Sequence, residues 1–325
     1  MLEKELFEFP VDLFVESSAW KLAEAIHRQG FRGAVFGASG GIDSLTTASL
    51  CLRARKQRQE WQVVAFQMND SRIKGELYNP EVYRALGAHL IQTDITAEAI
   101  GMEKRLGMPP RWLTGCLMKL VLRWLPVRVR RRMIVSVKAS QTPGSIHIHY
   151  QLLTLLHRLR IARLREYATR HRLMLVICTN LTEISLGYFV EQGIDDPQQG
   201  DCAPLSGLYK SQVASAAKFM GLPEHIVHQR PSPGFGGIYD EEIIGPYELA
   251  DLVLVGLQLG YSDGEISQAL RPRACRSWKM APFRKKAACD IEYVRFLREL
   301  VTLNARKRQS ESQEERTSIN FSSSQ

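Results

Sequence analysis

The chain has 325 residues and a mass of 36.9 kDa, is 45% hydrophobic and 24% charged, and carries a formal net charge of +9. This composition is typical of a globular protein with a substantial core. No apolar run reaches the roughly 18 residues of a membrane span, and the acidic start Met1–Glu5 does not resemble a signal peptide. We therefore expect a cytoplasmic protein. The six cysteines form no C-x-x-C pair and no zinc spacing, which argues against a disulfide framework or a structural metal.

In the first part of the chain, predicted helices alternate with short apolar strands. The predicted elements are, in order, a helix over 17–29, a strand at Ala34–Phe36, a helix within Asp43–Leu52, a strand at Trp61–Met68, a helix over Pro80–Leu86, a strand at Ala88–Thr93, a helix near Leu152–His171 and a strand at Leu173–Cys178. Such alternation predicts the α/β class, with a doubly wound parallel sheet that carries helices on both faces.

The second half of the chain is predicted to be mainly helical and to form a C-terminal helical extension. Its predicted helices are Leu208–Met220, Glu241–Leu259 and Tyr293–Arg306. We predict one domain over 1–306 with a basic insertion at about 101–145. The tail 307–325 has almost no apolar residues and is expected to be disordered. His147 and His149 alternate on a strand-like run and lack a third ligand, so we interpret them as structural.

The positive charge is concentrated in one segment. Ten basic residues and one acidic residue, Glu103, lie between Gly101 and Ser140, so this segment alone accounts for the net charge. Pro109-Pro110 could open an amphipathic helix that Pro126 ends, and the basic run Arg128–Arg132 follows. Four roles stay open for 101–140: contact with an anionic membrane surface, contact with a polyanion, a lid over a phosphate-rich substrate, or a helix docked on the core with a solvated basic face.

A glycine-rich loop, Gly37–Ser44 (GASGGIDS), lies between the first strand and the next helix. Backbone N–H groups in such a loop can hold phosphate at a helix N-terminus. Gly40 and Gly41 allow close approach, while Ser39 adds a hydroxyl donor. Asp43 lies where phosphate oxygens would gather, which is consistent with a bridging Mg²⁺. The loop predicts an ATP site of a kind other than Walker A, because no Gly-Lys-Ser/Thr follows; a helix-capping turn is the structural alternative.

This loop resembles the S-G-G-x-D-S signature of the ATP pyrophosphatases, the PP-loop family. From about Phe14 to Asp251 the chain is similar to NAD synthetases of the ammonia-dependent type, which implies a fold like that of the adenine nucleotide alpha hydrolases. The segments that carry the resemblance are His157–Ala168 (family A-R-x-R-M-x-x-L-Y-x-x-A), Cys178–Phe189 (G-T-x-N-x-S-E-x-x-x-G-Y), Asp201–Val213 (D-x-x-P-L-x-x-L-x-K-x-x-V) and Pro231–Gly245 (a loop ending in D-E-x-E-x-G).

The resemblance implies roles for individual residues. The residues implied to bind ATP are Gly37, Ser39, Gly40, Gly41, Asp43, Ser44, Met68, Cys178, Lys210 and Ser232. The residues implied to bind Mg²⁺ are Asp43 and Glu183, and those implied to be catalytic are Asp43, Lys210 and Arg158. Lys210 and Arg158 would neutralise the negative charge that builds on the triphosphate as pyrophosphate leaves. The residues implied to bind the substrate are Thr154, Asp201, Asp240 and Glu241.

The resemblance also implies an activity. ATP would adenylate a carboxylate with release of pyrophosphate, and ammonia would then displace AMP, most simply to convert deamido-NAD to NAD in a homodimer. No covalent nucleophile is required. We do not expect the amidotransferase or nitrilase domain of glutamine-using relatives in this chain, so ammonia would arrive free or from a partner. The alternative is a diverged pyrophosphatase that adenylates another substrate, for example for sulfur transfer to a nucleotide or RNA base.

Several positions depart from the family's pattern, mainly on the nicotinate and ammonia side. Cys178 replaces a glycine, Thr154 an asparagine, Asn69 a proline and Ile243 a glutamate. The acidic loop 193–200 is lengthened, so either Asp195 or Asp196 could match the family's aspartate near the ammonia site. The phosphate loop itself matches the family's pattern. The resemblance therefore supports the use of ATP more strongly than it identifies the substrate.

Overall fold

A computed structural model describes residues 2–73, 79–108, 124–139, 145–231, 239–270 and 290–322. Within these ranges the centre of the fold is a parallel sheet of strand order β3-β2-β1-β4. The strands are β1 (Gly33–Gly37), β2 (Gln62–Asn69), β3 (His89–Asp94) and β4 (Met174–Val176). The predicted α/β class and parallel sheet are confirmed.

The helices of the described residues precede, connect and follow these strands. In chain order they are α1 (Leu2–Phe7), α2 (Val11–Arg28), α3 (Ile42–Arg55), α4 (Pro80–Leu86), α5 (Thr96–Arg105), α6 (Val127–Lys138), α7 (Ser145–His171), α8 (Leu181–Leu186), α9 (Lys210–Phe219), α10 (Glu224–Val227), α11 (Asp240–Ile243), α12 (Tyr247–Gln258), α13 (Asp263–Leu270) and α14 (Ile291–Ser322). No described helix is both long enough and apolar enough to cross a lipid bilayer.

Both faces of the sheet are buried. On one face Phe36 packs in a core with side chains of α2, α3 and α9. On the other face Val35 packs against Leu164 and its neighbours on α7. A separate helical core joins α1, α12, α13 and α14, with Leu252 and Leu297 at its centre. The sheet is therefore doubly wound, and the C-terminal helices add a second layer as predicted.

The strand order places a topological switch point between β1 and β4. β1, β2 and β3 follow one another toward one edge, whereas β4 pairs with the opposite side of β1, with Val35 beside Leu175. The connections that leave β1 and β4 therefore diverge and open a crevice at their carboxyl ends. Such crevices are the usual ligand sites of open α/β sheets.

The structure corrects three details of the sequence analysis. His147 and His149 lie on α7 rather than on a strand, because their alternation is the start of a much longer helical sequence. The helix predicted over Glu241–Leu259 is divided into α11 and α12, since Gly245 has a φ of +87° and Pro246 is the N-cap residue before the second helix. The last helix continues through Ser322 instead of ending at Arg306. The residues after Arg306 include few apolar side chains that could pack on a core. They include no Gly or Pro, however, so their sequence permits the helix to continue.

The basic segment is partly described. Its first predicted helix falls mostly in 109–123, outside the described residues, while the arginine run begins α6. Arg128 pairs with Glu292 at 2.8 Å, and the Arg131 guanidinium lies 4.9 Å from the Tyr293 ring centroid. The Lys138 ammonium donates to the carbonyl oxygens of Gly187 and Phe189. In the part that the structure describes, α6 is thus docked on the helical core.

Candidate active site

The loop after β1 forms a concave turn at the start of α3. Gly40 has a φ of +79°, which favours glycine, and Gly41 is the N-terminal cap of the helix. The Ser44 hydroxyl donates to the Gly41 carbonyl oxygen at 2.9 Å and lies 3.1 Å from the Ser39 hydroxyl. Backbone N–H groups and hydroxyls therefore surround one helix N-terminus, a geometry that can hold phosphate.

Tyr83 fastens this loop from α4. Its hydroxyl oxygen accepts a hydrogen bond from the Gly40 N–H at 3.0 Å and lies 2.7 Å from the Ser44 hydroxyl. Tyr83 is fully buried, and burial raises the pKa of its hydroxyl. The sequence analysis did not identify Tyr83, because the residue belongs to none of the motifs and meets the loop only when α4 packs on α3.

Three elements bring charged side chains together at the switch point. The Lys210 ammonium, at the start of α9, donates to Asp43 Oδ2 on α3 and lies 3.6 Å from Glu183 Oε1 on α8. Asn180 Nδ2 donates to Asp43 Oδ1 at 3.1 Å, and Asn180 Oδ1 accepts from the Glu183 N–H at 3.0 Å. Three residues predicted for the ATP and metal site, Asp43, Glu183 and Lys210, therefore form one cluster.

This cluster holds more carboxylates than cations. Burial raises the pKa of Glu183 to about 8; Lys210 opposes this shift, and Asp43 and Asp240 add to it. Burial alone would lower the pKa of Lys210, but the attraction of Asp43 and Glu183 outweighs burial and raises this pKa above its ordinary value. The ammonium therefore stays charged at neutral pH while the carboxylates compete for it.

Asp240 approaches the same cluster from α11. The Tyr188 hydroxyl donates to its Oδ1 at 3.0 Å and the Tyr247 hydroxyl donates to its Oδ2 at 2.9 Å. Asp240 is 5% exposed, and burial raises its pKa. The Tyr247 ring also lies against Lys210, with Nζ 5.1 Å from the ring centroid. The substrate-binding role predicted for Asp240 stays a prediction, and its described contacts belong to the charge cluster.

Asp251 supports Lys210 from behind. Its Oδ1 accepts from the Thr182 hydroxyl at 2.5 Å, and its Oδ2 accepts from the N–H and hydroxyl of Ser211 at 2.8 and 2.6 Å. The Lys210 N–H in turn donates to the Thr182 hydroxyl at 2.9 Å. Burial raises the pKa of Asp251 to about 6. No local signal identifies it in the sequence, because α12 also contains a second acidic residue, Glu248, and Asp251 belongs to none of the motifs.

Two further residues predicted to contact ATP, Met68 and Cys178, lie at or just after the carboxyl ends of β2 and β4. Met68 is buried near the carboxyl end of β2. Cys178 Sγ lies 3.8 Å from the Gly37 carbonyl oxygen, and burial raises the pKa of its thiol to about 12. Ser232 lies outside the described residues.

Four predicted residues make their described contacts away from the charge cluster. The Thr154 hydroxyl donates to the Tyr150 carbonyl oxygen within α7, and Arg158 is exposed on the same helix. Asp201 Oδ2 accepts from the Leu175 N–H of β4 at 2.7 Å. Glu241 pairs with Arg230 at 3.3 Å. The roles predicted for Thr154, Arg158, Asp201 and Glu241 stay predictions.

The two aspartates of the acidic loop have different surroundings. Asp196 is 5% exposed and accepts from the N–H groups of Gln192 and Gln198 at 2.7 and 3.0 Å, so it shapes the loop. Asp195 Oδ1 lies 2.9 Å from His157 Nδ1, and the Thr179 hydroxyl donates to its carbonyl oxygen. Asp195 therefore connects the loop to the residues just after β4.

The fold and the site together define a class of protein: a nucleotide-binding α/β protein of the ATP pyrophosphatase type, with its phosphate loop and a lysine–carboxylate cluster at the switch point. The family model described as NAD synthase matches residues 14–109 and 128–287. The chain belongs to the NAD synthase family.

Curated relatives and solved structures agree with this membership. The NH(3)-dependent NAD(+) synthetase of Thermotoga neapolitana is 27% identical over 83% of this chain and 92% of its own length. The enzyme of the same name from Coprothermobacter proteolyticus is 39% identical, over 34% of this chain and 38% of its own length. The fold is similar to that of an NH3-dependent NAD synthetase from Campylobacter jejuni, with a TM-score of 0.57, 17% identity and coverage of 91% and 95%. An NMN synthetase structure from Francisella tularensis has a TM-score of 0.56, 20% identity and coverage of 84% and 98%.

Proposed function

We propose that this protein is an ammonia-dependent ligase that adenylates the carboxylate of deamido-NAD with ATP, releases pyrophosphate and forms NAD. The observation that carries the proposal is the cluster of Lys210, Asp43 and Glu183 beside the phosphate loop, in a chain of the NAD synthase family. This chain covers 92% of the length of two relatives that are named NH(3)-dependent NAD(+) synthetases.

The chain's own residues suit the first half of the reaction. A carboxylate is a poor electrophile, and transfer of the adenylyl group gives it a good leaving group. The N–H groups of the first turn of α3 and the Ser39 hydroxyl would bind the phosphates that depart as pyrophosphate. The Lys210 ammonium, held by two carboxylates, would neutralise the negative charge that develops on the leaving oxygen. Because Asp251 and Thr182 fix the start of α9, this cation is positioned before substrate binds.

A Mg²⁺ ion fits this set of residues. Asp43, Glu183 and Asp240 surround one ammonium, and the raised pKa of Glu183 reflects burial and this excess of carboxylates. In the described ranges no group of three His, Cys, Asp or Glu side chains forms a metal cage. Mg²⁺ usually binds one or two carboxylates and completes its shell with water and substrate phosphates. We propose that Asp43 and Glu183 hold it, and that when bound it neutralises phosphate charge.

Sulfur transfer to a nucleotide or RNA base is the alternative substrate chemistry. Thiolation needs a reactive thiolate, which forms where the environment lowers a cysteine pKa. The three described cysteines lie in the opposite environment: burial raises the pKa of the Cys51, Cys178 and Cys202 thiols. None of these three described thiols is therefore suited to sulfur transfer.

We further propose a homodimer, as the resemblance to the family implies. Leu13 and Trp20 are exposed by 66% and 56% on one side of α2, and exposed apolar side chains of this size support a partner surface. Sedimentation velocity over a range of protein concentrations tests this proposal, because a stable homodimer gives one species near twice 36.9 kDa.

The function is tested with purified protein, ATP, Mg²⁺, ammonium and deamido-NAD. We expect AMP, pyrophosphate and NAD to form in equal amounts. Nicotinate mononucleotide in a parallel reaction tests whether a smaller nucleotide carboxylate is preferred. Pyrophosphate release that requires a cell extract, with no NAD formed, would instead support another adenylated substrate.

The Asp43→Ala variant tests the ATP site independently of the substrate. We expect AMP formation to be abolished, because this change removes the carboxylate that both Lys210 and Asn180 contact. Asp12→Ala is the matched control, since Asp12 lies in the first turn of α2 as Asp43 does in α3, but is exposed. Turnover that survives in Asp43→Ala would contradict this assignment of the loop.

A further inference from the structure

A histidine–carboxylate pair is linked to the charge cluster through Thr179 and Asn180 and has no part in the adenylation step. His157 Nδ1 on α7 is 2.9 Å from Asp195 Oδ1, and the Val190 N–H donates to Asp195 Oδ2 at 3.2 Å. A Cβ at Gly193 would lie 2.9 Å from His157 Cβ and 3.0 Å from Asp195 Oδ1, so the glycine lets loop and helix meet. The hydrogen bond from Val190 holds Asp195, and the close packing at Gly193 holds His157 against the loop.

Two links of the chain join this pair to the adenylation cluster. The Thr179 hydroxyl donates to the Asp195 carbonyl oxygen. The next residue, Asn180, donates to Asp43. The side chains of His157 and Asp195 are 16% and 30% exposed, so the pair is largely enclosed and still open on one side. A Cβ at Gly37 would lie 2.7 Å from Ile194 Cδ1, so the residue before Asp195 packs at the end of β1 and the pair borders the crevice in which an acyl-adenylate would form.

The hydrogen bond assigns the two ring nitrogens different roles. An ionised carboxylate can only accept, so the proton between the groups is carried by His157 Nδ1. In the tautomer that this hydrogen bond favours, Nε2 carries no proton and can accept one. This arrangement, in which a carboxylate orients a histidine and fixes its tautomer, is the one used by general bases.

Charged groups of both signs surround the pair. Tyr150 and Arg158 lie on the same helix, Glu191 lies in the adjoining loop, and Lys138 approaches from α6. Lys307 of α14 pairs with Glu191 at 3.2 Å. Burial lowers the pKa of Lys138 to about 8, a shift that Asp195 opposes. These lysines and carboxylates partly balance one another around the imidazole.

The second half of the proposed reaction needs a base. Ammonia is mostly ammonium at neutral pH, and ammonium has no lone pair with which to attack a carbonyl. We infer that His157 accepts this proton at Nε2 and that Asp195 positions it. The inference rests on the proposed function. His157 occupies the place of the alanine in the family's A-R-x-R pattern, so the histidine of the pair departs from that pattern.

The step balances in protons and charge. Ammonium transfers one proton to His157 Nε2 and becomes ammonia, whose lone pair forms the new C–N bond. The C–O bond of the acyl-adenylate breaks, and its electron pair leaves on the phosphate oxygen of AMP. The nitrogen releases a second proton to solvent as the amide forms, and His157 returns the first proton to solvent. No oxidant or reductant takes part.

A comparison of two nucleophiles tests this inference in the full-length protein. Hydroxylamine is largely unprotonated at neutral pH and needs no base before it attacks. We expect His157→Gln to lower kcat/KM for ammonium by about 100-fold or more, the usual contribution of a general base. With hydroxylamine the same variant should retain most of its rate. Asp195→Asn should show the same selective loss, because the amide no longer fixes the tautomer.

Two controls separate this inference from misfolding and from the proposed function. ATP–pyrophosphate exchange needs no ammonia and reports whether His157→Gln still folds and adenylates. His147→Gln alters an exposed histidine at the start of the same helix and should behave as wild type. Equal losses with both nucleophiles, or no loss with ammonium, would overturn the role of His157. A wild-type protein that makes no NAD would instead overturn the proposed function.

Discussion

Lys210→Met is the sharpest test of the charge balance at the site. The substitution keeps the length of the side chain and removes the only described cation that contacts both Asp43 and Glu183. Lys210 is 7% exposed, so its partners lose a buried ion pair rather than a surface one. Removing one partner of such a pair typically costs about 3–5 kcal/mol. We expect a loss of this size in the free energy of unfolding near pH 8.

The loss should depend on pH with a defined sign. Glu183 has a folded pKa of about 8 against an ordinary value of 4.5, so the folded protein binds its proton more tightly than the unfolded chain does. Stability therefore falls as pH rises from 4.5 to about 8. Without Lys210 the carboxylates repel more strongly, so the deficit of the variant should grow over this window and shrink on acidification. Mg²⁺ should stabilise the variant more than wild type, because it replaces the missing positive charge.

Urea unfolding between pH 5.5 and 8, with and without Mg²⁺, measures the loss of stability, its dependence on pH and its response to Mg²⁺. Lys218→Met is the matched control, since Lys218 lies on the same helix and is exposed. A Lys210→Met variant that loses less than about 1 kcal/mol near pH 8, the value of a surface ion pair, would refute the charge balance. A deficit that does not change with pH would refute it as well.

Three further predictions concern the supports of the site. Tyr83→Phe should lower the free energy of unfolding by about 1–3 kcal/mol in urea titrations, because the buried Gly40 N–H loses its acceptor. Gly187→Ala should cost about 1–3 kcal/mol in the same assay, since this residue has a φ of +61° and its Cβ would lie 2.9 Å from Asn304 Oδ1; an unchanged midpoint would contradict the tight packing. Asp251→Asn should lose the pH dependence that lowers wild-type stability as pH rises from 3.8 to about 6, which thermal melts across that range measure.

The architecture follows from local signals that are strong in this sequence. The apolar runs of β1 and β2 are buried on both faces, so a short hydrophobic run bounded by turns is enough to predict them. Helix α4 begins at Pro80 and ends at Leu86, as the proline and Gly87 predict. The strand predicted around His147 and His149 was wrong because alternation over only a few residues also occurs by chance within a longer helix.

The site could be predicted only where a motif carries it. Asp43, Glu183 and Lys210 belong to recognisable patterns, and they meet in the structure. Tyr83 and Asp251 belong to none, because their roles arise from the packing of α4 on α3 and of α12 on α9. A hydroxyl or carboxylate that acts through tertiary contacts has no local sequence pattern, so such supports can be found only in the folded chain.

The position of the charge cluster at the switch point has a consequence for the order of folding. Asp43 lies 137 residues before Asn180 and 167 before Lys210, the two groups that satisfy its carboxylate. On the ribosome the phosphate loop is therefore complete long before its counter-charge is made. The contacts that complete the centre are among the most distant in sequence, and closing such loops costs entropy. A nascent or truncated chain that ends before Lys210 therefore carries the loop without the cation that contacts Asp43, even when all four described strands have been made.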